Sequence, residues 1–221
     1  MNGVNFQFTP FGATFVATNT YILVKYTINY LKFNHYINFT ISKKSLKIIK
    51  NILINNNYIK KIIIEYNQID LVKFKFKNKI FLCKIINKKY PNYNYVIPNY
   101  NYTNNENISL KINRILFLNS IKRISLFTKK KFIFFSFKNN KIKIYANNTS
   151  IYNYLNIEFI NNNFKYESIK IGFNYKYLIN ILSSLHENFI NFEFYHLNKI
   201  GLFKQNNKKE NILILIMSII I

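Results

Sequence analysis

The sequence predicts an α+β fold made of two similar domains, in each of which helices pack against antiparallel sheet. Two segments with apolar residues at helical spacing lie far apart in the chain, and each is followed by three short runs typical of β-strands. The two copies are offset by roughly 130 residues, which is within the usual size range of one domain. A duplicated domain explains this pattern.

The first copy contains a helix predicted at residues 42–53, with Ser42 as its N-cap. Its apolar face carries Leu46, Ile49 and Leu53, and Lys43, Lys47 and Lys50 share the polar face. The strand-like runs around this helix are at residues 6–8, 13–19, 62–66, 71–76 and 79–86.

The second copy contains a helix predicted at residues 174–185, with Asn174 as its N-cap. The strand-like runs around it are at residues 134–137, 143–148, 191–195, 199–203 and 211–218. A further helix, at residues 113–127, comes before these strands and carries Arg114, Lys122 and Arg123. In the first copy, the equivalent of this further helix would lie one repeat length earlier, which is before residue 1. The predicted domains are therefore 1–98, a partial domain without its N-terminal helix, and 99–221, a whole one.

The formal net charge of +24 indicates binding to an anionic partner such as nucleic acid, because Lys and Arg side chains neutralise phosphates. Only Arg114 and Arg123 are arginines, and the remaining basic residues are lysines, which the codons of A+T-rich genes favour. Codon bias therefore remains an alternative explanation for most individual lysines. The presence of both arginines on one predicted helix favours a functional basic surface.

The sequence supplies little for catalysis or metal binding. Cys83 lies in an apolar run, where we expect a buried strand position. His35, His186 and His196 have no Cys or acidic neighbours at ligand spacing, and the chain has only eight acidic residues. Phosphate-binding loops and nucleophile motifs do not occur. We therefore predict a protein that is not an enzyme, with no catalytic residue, metal or cofactor.

The two ends of the chain do not look like membrane or export signals. Residues 1–6 lack the basic and apolar regions of a signal peptide. The apolar run at 212–221 is about half the ~20 residues that a spanning helix needs, so we expect a buried strand with an apolar tail. The prediction is a cytoplasmic protein without a membrane partner.

Five motifs follow one another in a fixed order along the chain: FVATN at residues 15–19, KYPNYNYVIP at 89–98, FLNSIKRI at 117–124, IGFNYKYL at 171–178 and LIMSI at 215–219. The first, second and last are similar to the VATD, GRFPDYxxVxP and VMPM segments of the bacterial DNA polymerase III beta subunits, the sliding clamps. With the matching repeat period, the whole chain resembles this family, truncated at its N-terminus.

The resemblance implies the DNA-clamp fold, with three similar domains per subunit, each of two helices backed by antiparallel sheet. In the family a head-to-tail homodimer forms a ring around double-stranded DNA, and its helices line the hole. This chain is expected to hold most of the middle domain and the whole C-terminal domain. Because the family's first domain closes the ring, closure by this chain alone remains open.

The implied DNA contacts are sequence-independent, since lysine and arginine reach phosphates without reading bases. In this chain, these contacts would come from residues on the exposed faces of the helices. The predicted DNA-binding residues are Lys43, Lys44, Lys47, Lys50, Arg114, Lys122, Arg123 and Lys176.

The resemblance also implies an apolar site for short peptide motifs of the replicative polymerase alpha subunit and the clamp loader. Such a motif has a glutamine followed by aliphatic and aromatic anchors. The predicted partner-peptide residues are Met1, Thr18, Thr20, Tyr21, Leu23, Pro91, Tyr95, Val96, Leu215, Met217, Ser218 and Ile219. Tyr21, Tyr95 and Ser218 replace polar or proline residues of the family motifs, which implies a more apolar and less selective pocket.

Other functions remain open from the sequence. The chain fits a non-encircling basic nucleic-acid-binding module of α+β type, whose affinity would be the same for linear and circular DNA. It also fits a degenerate clamp fragment. Within the predicted pocket, Leu23, Val96 and Leu215 are equally well explained as core residues.

Overall fold

The structure is a computed structural model that describes residues 3–55, 61–67, 70–98, 107–128, 130–138, 141–146, 151–160, 170–195 and 199–220. These residues form three α-helices and seventeen β-strands, and the strand pairs with a described register run antiparallel. The predicted α+β class is therefore confirmed. None of the helices in these ranges is long and apolar enough to cross a membrane.

The chain divides into two compact units. Unit 1 comprises Met1–Asn19 and Lys25–Asn92, and unit 2 comprises Thr20–Val24 and Tyr93–Ile221. The sequence places the division after residue 98 instead. Residues 20–24 belong to unit 2 because the Tyr21 carbonyl accepts a hydrogen bond from the Met217 N–H, at 2.9 Å.

Unit 1 is built from one helix and two sheets in its described part. Its elements are β1 (Gly3–Thr9), β2 (Gly12–Thr18), β3 (Ile22–Ile28, whose first residues are counted in unit 2), β4 (Ile37–Ser42), α1 (Lys43–Ile54), β5 (Ile62–Tyr66), β6 (Leu71–Phe76) and β7 (Lys79–Lys84). The strand orders are β3-β2-β1-β4 and β5-β6-β7. The core is rich in phenylalanine and includes Phe6, Phe39 and Phe74. Cys83 is buried in it, as predicted.

Unit 2 is built from two helices and two sheets among its described residues. Its elements are β8 (Asn107–Asn113), α2 (Arg114–Ser125), β9 (Phe132–Lys138), β10 (Lys141–Ala146), β11 (Tyr152–Asn156), β12 (Glu158–Phe159), β13 (Lys170–Asn174), α3 (Tyr175–Ser184), β14 (Phe189–Tyr195), β15 (Ile200–Asn206), β16 (Glu210–Met217) and β17 (Ile219–Ile220). The strand orders are β12-β8-β14-β15-β16 and β11-β10-β9-β13-β17. Phe117, Ile121 and Leu178 of the helices pack with buried residues of both sheets.

The two units repeat one topology. In unit 1, a sheet ordered β3-β2-β1-β4 precedes α1 and the β5-β6-β7 sheet. In unit 2, β11-β10-β9-β13 precedes α3, and β14, β15 and β16 follow it in the same order. The helices α1 and α3 therefore have equivalent positions, and the predicted duplication is confirmed.

Polar side chains begin the three helices. Ser42 accepts a hydrogen bond from the Ser45 N–H, Asn113 from the Leu116 N–H, and Asn174 from the Lys176 N–H. These bonds satisfy amides that have no partner in the first turn of a helix. The N-caps predicted at Ser42 and Asn174 are confirmed.

Candidate functional site

Helix α1 exposes one basic face. Ile49 is buried, and Leu46 and Leu53 pack against the core of unit 1. The opposite side carries four exposed lysines, Lys43, Lys44, Lys47 and Lys50. Lys43, Lys47 and Lys50 share one side because they are spaced four and three residues apart. The apolar contacts of α1 thus fix the direction of its lysines.

Helices α2 and α3 of unit 2 run antiparallel. At the start of α2, the Arg114 guanidinium donates from Nε to the Glu187 carbonyl at 2.7 Å and from Nη1 to the Leu182 carbonyl at 3.1 Å. Those carbonyls lie at or just beyond the end of α3. At the other end, the Tyr175 N–H at the start of α3 donates to the Lys131 carbonyl, shortly after α2 has ended.

This antiparallel arrangement gathers cations at one end of the helix pair. Lys122 and Arg123 are exposed in the last turn of α2, and Lys176 is exposed in the first turn of α3. Lys130 and Lys131, in the connection after α2, are also exposed. We call these five residues the basic end. The sequence prediction missed Lys130 and Lys131, although the lysine run at 129–131 signals them.

Arg114 has a structural role that the sequence did not predict. Its guanidinium binds carbonyls near the C-terminus of α3, where the helix dipole favours a positive charge. Arg114 is the first residue of α2, whereas Lys122 lies eight residues later, about 12 Å along the helix axis. The structure therefore separates the two arginines that the sequence placed on one surface. Arg114 joins the two helices, and Arg123 belongs to the basic end.

The helices carry no negative charge of their own. Four basic residues lie on α1, three on α2 and one on α3, and none of the helices contains Asp or Glu. Codon bias would add lysines throughout the chain, but it does not by itself explain why the six described acidic residues lie on strands and loops. The helices thus present a positive potential that attracts phosphate.

The predicted partner-peptide residues differ in their accessibility. Leu23 and Leu215 are buried, at 3% and 4% exposure, so the structure favours core positions for both. Ser218 is also buried, and both its N–H and its hydroxyl donate to the Lys199 carbonyl, at 2.8 and 3.0 Å. Ser218 thus holds the end of β16 against residue 199.

We define an apolar patch in unit 2 from three exposed residues, Tyr21, Met217 and Ile219, and the half-buried Tyr177 of α3. Tyr21, Met217 and Ile219 are 59%, 40% and 38% exposed. The hydrogen bond from the Met217 N–H to the Tyr21 carbonyl brings the first two together. The Tyr21 ring centroid is 6.3 Å from that of Tyr177 on α3. The sequence prediction missed Tyr177 as a site residue, although it lies within the motif at residues 171–178.

The remaining predicted peptide residues surround or lie outside this patch. Thr20 adjoins Tyr21 and has a positive φ of 75°, and Tyr95 and Val96 are exposed in a 3₁₀ turn at Tyr93–Val96. Thr18 is half-buried and Pro91 is exposed in unit 1. Met1 lies outside the described residues. The convergence of all these segments into one groove stays a prediction.

Within the described ranges, no group of three or more His, Cys, Asp or Glu residues is arranged to hold a metal ion.

Comparisons with known proteins agree on one family. The model of the C-terminal domain of the DNA polymerase III beta subunit matches residues 95–219, and the model of its central domain matches residues 1–92. No curated protein sequence matches the chain.

Solved structures of sliding clamps share the fold. The clamp from Bacillus subtilis is 23% identical with a TM-score of 0.81, and the match covers 99% of this chain and 56% of that one. The beta subunit from Pseudomonas aeruginosa is 17% identical with a TM-score of 0.81, covering 99% and 58%. The beta subunit from Thermotoga maritima is 18% identical with a TM-score of 0.80, covering 100% and 57%. The chain thus spans a little over half the length of these structures.

Proposed function

This chain belongs to the DNA polymerase III beta subunit family, and from that premise we propose that it is a non-catalytic sliding clamp component that holds replication proteins on double-stranded DNA. The observation that carries the proposal is the charge of the helices. All three expose basic residues, none contains an acidic residue, and their other sides pack into the cores. The proposal places the protein in the cytoplasm, where bacterial DNA replication takes place.

The DNA-binding residues of this proposal are the four lysines of α1 and the basic end of unit 2. Long side chains on a helix face reach phosphate oxygens without base contacts, so the affinity is independent of sequence and sensitive to salt. Arg114 is omitted from this set because its guanidinium is hydrogen-bonded to α3 carbonyls. Exposed lysines outside the helices serve as matched controls.

The DNA test compares two triple variants by fluorescence anisotropy on a labelled duplex of about 30 base pairs. Replacing Lys43, Lys47 and Lys50 by alanine should weaken binding of all sequences alike and reduce the slope of log K against log salt by about 0.9 per lost phosphate contact. Replacing Lys61, Lys79 and Lys84, which are also exposed in unit 1, should have a smaller effect. Equal losses for the two triples would contradict a helix-based DNA surface.

Encircling is the finer part of the proposal, with a homodimeric ring as in the family. The competing function is a basic module that binds DNA without surrounding it, and the net charge of +24 favours that module equally well. The two differ in topology, because a ring stays on closed circular DNA at high salt and slides off linear DNA. Equal dissociation rates from the two forms would favour the module.

The apolar patch is the proposed site for peptide motifs of the polymerase alpha subunit and the clamp loader. Its tyrosine rings and Met217 provide an apolar, adaptable surface for aliphatic and aromatic anchors. At about 25 cal/mol per Å² of buried apolar surface, two anchors contribute a few kcal/mol, which suits exchangeable partners.

The peptide test uses a fluorescein-labelled peptide with a glutamine followed by leucine and phenylalanine anchors. Met217→Ala and Tyr21→Ala should each weaken saturable binding. Phe189→Ala removes an equally exposed apolar side chain, at 53% exposure, from β14 of the same unit and should leave binding unchanged. Binding that is indifferent to the Met217 change would place the peptide elsewhere.

A further inference from the structure

The sheet ordered β11-β10-β9-β13-β17 has an outer face whose side chains are aligned across the strands. Ile142 and Ile144 of β10 point into the core of unit 2, so Lys143 and Tyr145 point outwards. The strand register then sets out two rows. One runs Tyr154, Lys143, Ser136, Lys170, and the other runs Tyr152, Tyr145, Phe134, Gly172, Ile219.

The first feature of this face is a lysine surrounded by tyrosines. The Lys143 Nζ is 4.3 Å from the ring centroid of Tyr152 and 5.9 Å from those of Tyr145 and Tyr154. Tyr152 and Tyr154 are 52% and 53% exposed, with centroids 5.2 Å apart. The rings hold the ammonium group in place and keep part of it away from water.

The second feature is the continuity of the other row with the apolar patch. Phe134 lies 5.8 Å from Tyr145, and a Cβ at Gly172 would be 2.7 Å from both Phe134 Cε1 and Ile219 Cγ1. Glycine at this position therefore lets Phe134 and Ile219 approach each other on the outer face. Phe134 is 4% exposed and Gly172 is buried, so the middle of this row lies below the surface and links Tyr145 to Ile219, a member of the apolar patch, by packing.

The third feature is the sign of the charge. Among the described side chains of the outer face, the charged ones are Lys141, Lys143 and Lys170, and none of them takes part in an ion pair. Exposed tyrosines beside lysines are complementary to a segment with carboxylates between apolar side chains. The sheet is four strand spacings wide, about 19 Å, which about six residues of extended peptide would span.

We propose that this outer face, which we call the tyrosine track, binds an acidic segment of a partner polypeptide adjoining the motif that occupies the apolar patch. Carboxylates of that segment pair with Lys143 and Lys170, and its apolar side chains pack on Tyr152, Tyr154 and Tyr145. This proposal rests on the proposed function, because it assumes that the apolar patch holds the motif. It names a second recognition element that selects partners by the charge of the sequence beside the motif.

The position of Lys143 favours a peptide over a single-stranded nucleic acid. A nucleic acid would stack its bases on the tyrosines, but the Lys143 ammonium already lies over the Tyr152 ring. The cations of this sheet are also few compared with those of the helices. Oligonucleotide binding is therefore the alternative that the experiment includes.

The experiment measures the affinity of the full chain for labelled synthetic peptides. The probes are the motif alone, the motif with a six-residue Glu-Leu tail at either end, the motif with a Lys-Leu tail, and the Glu-Leu tail alone. We expect the Glu-Leu tail to raise the affinity about tenfold over that of the motif alone when it is attached at one of the two ends. The Lys-Leu tail should give no gain. Tyr152→Ala with Tyr154→Ala, or Lys143→Ala, should remove that gain and leave motif binding intact.

The control is Lys209→Ala, which removes an exposed lysine from the β15–β16 hairpin of the same unit. It should keep the gain from the acidic tail. Circular dichroism and thermal unfolding establish that each variant is folded. An oligo-dT of about 20 nucleotides is added as competitor to test the alternative ligand.

The outcomes separate this proposal from the proposed function. Motif binding without any gain from the acidic tail, or with a gain that survives the tyrosine and lysine variants, overturns the tyrosine track and leaves the patch standing. Binding of the acidic tail alone that requires Tyr152 and Tyr154, without motif binding, supports the track and overturns the patch. Stronger binding of oligo-dT that depends on the same tyrosines overturns the peptide assignment, and no binding by any probe overturns both.

Discussion

In unit 2, strand β14 pairs with β8 on one side and β15 on the other, whereas the equivalent strand of unit 1, β5, pairs only with β6 among the described residues. The core-facing Ile190 and Phe192 of β14 are 1% and 2% exposed. The corresponding Ile62 and Ile64 of β5 are each 37% exposed, although they lie opposite the buried Phe76 and Phe74.

The helices show the same contrast. In unit 2, α2 buries Phe117 and Ile121 beside α3. The described part of unit 1 contains one helix, α1, and its Ile48 and Ile54 side chains are 47% and 60% exposed. Alternating apolar residues thus determine which face of a strand turns inwards, but a neighbouring strand and helix determine how completely that face is buried.

The largest expected effect concerns the helix α2 that closes the core of unit 2. Phe117→Ala should lower the free energy of unfolding by about 3–5 kcal/mol, because it leaves a cavity among buried side chains. Ile48→Ala, at a half-exposed position of α1, should cost less than about 1 kcal/mol. Urea unfolding followed by circular dichroism measures both. Similar losses would contradict the contrast between the two cores.

The second comparison sets a buried ion pair against an exposed one. In unit 2, Lys204 Nζ lies 2.6 Å from Glu193 Oε2, with both side chains largely buried, and the Tyr195 hydroxyl donates to the same carboxylate. Glu193→Gln should cost roughly 3 kcal/mol, because it leaves the Lys204 charge without its counterion in a poorly solvated place. The double variant with Lys204→Met should recover part of this loss in urea unfolding. No recovery would show that another contact of Glu193 dominates.

The third prediction concerns the link between α2 and α3. Arg114→Ala removes two hydrogen bonds to carbonyls near the end of α3, so it should destabilise the chain by about 1–2 kcal/mol. Its effect on DNA affinity should be smaller than that of Lys122→Ala, which in turn should leave stability unchanged. Thermal unfolding and anisotropy on the same variants separate the roles. A larger DNA defect for Arg114→Ala would restore it to the DNA-binding set.

The smallest effect is expected at the exposed ion pair of unit 1. The hydrogen bond from Lys75 is the main cause that lowers the pKa of Glu65 below its usual 4.5. A lowered pKa in the folded state means that the pair stabilises the fold above the usual pKa and that this contribution is lost as pH falls through the folded pKa. Glu65→Gln should therefore reduce the urea midpoint slightly at about pH 7 and not at about pH 2. A difference that persists in acid would have to come from packing.

Much of the local structure is predictable because it depends on neighbouring residues. Ser42 and Asn174 are recognisable as N-caps since an oxygen-bearing side chain precedes an apolar helical period. Strands β5 and β6 have the predicted limits, and β16 ends within one residue of them. The duplication is visible in the sequence because both copies have helical and strand-like segments in the same order.

The accessibility of site residues is less predictable. Leu215 and Met217 are two residues apart on β16, yet Leu215 is 4% and Met217 40% exposed. The family resemblance groups both in one pocket, and neither the resemblance nor the alternation of a strand predicts what covers each position. The resemblance assigns Ser218 to the peptide site, but it does not predict that the Ser218 hydroxyl donates to the carbonyl of Lys199, 19 positions away.

The sequence by itself determined the α+β class, the duplication, the helix starts and the basic character of the helices, because periodicity, capping and charge act over a few neighbouring residues. Only the tertiary structure decided that Arg114 binds α3, that Lys122 and Lys176 share one end of a helix pair, and that Lys143 lies among three tyrosines. These contacts join residues on different elements, and they depend on helix direction and strand register, which are set by the packing of the whole unit.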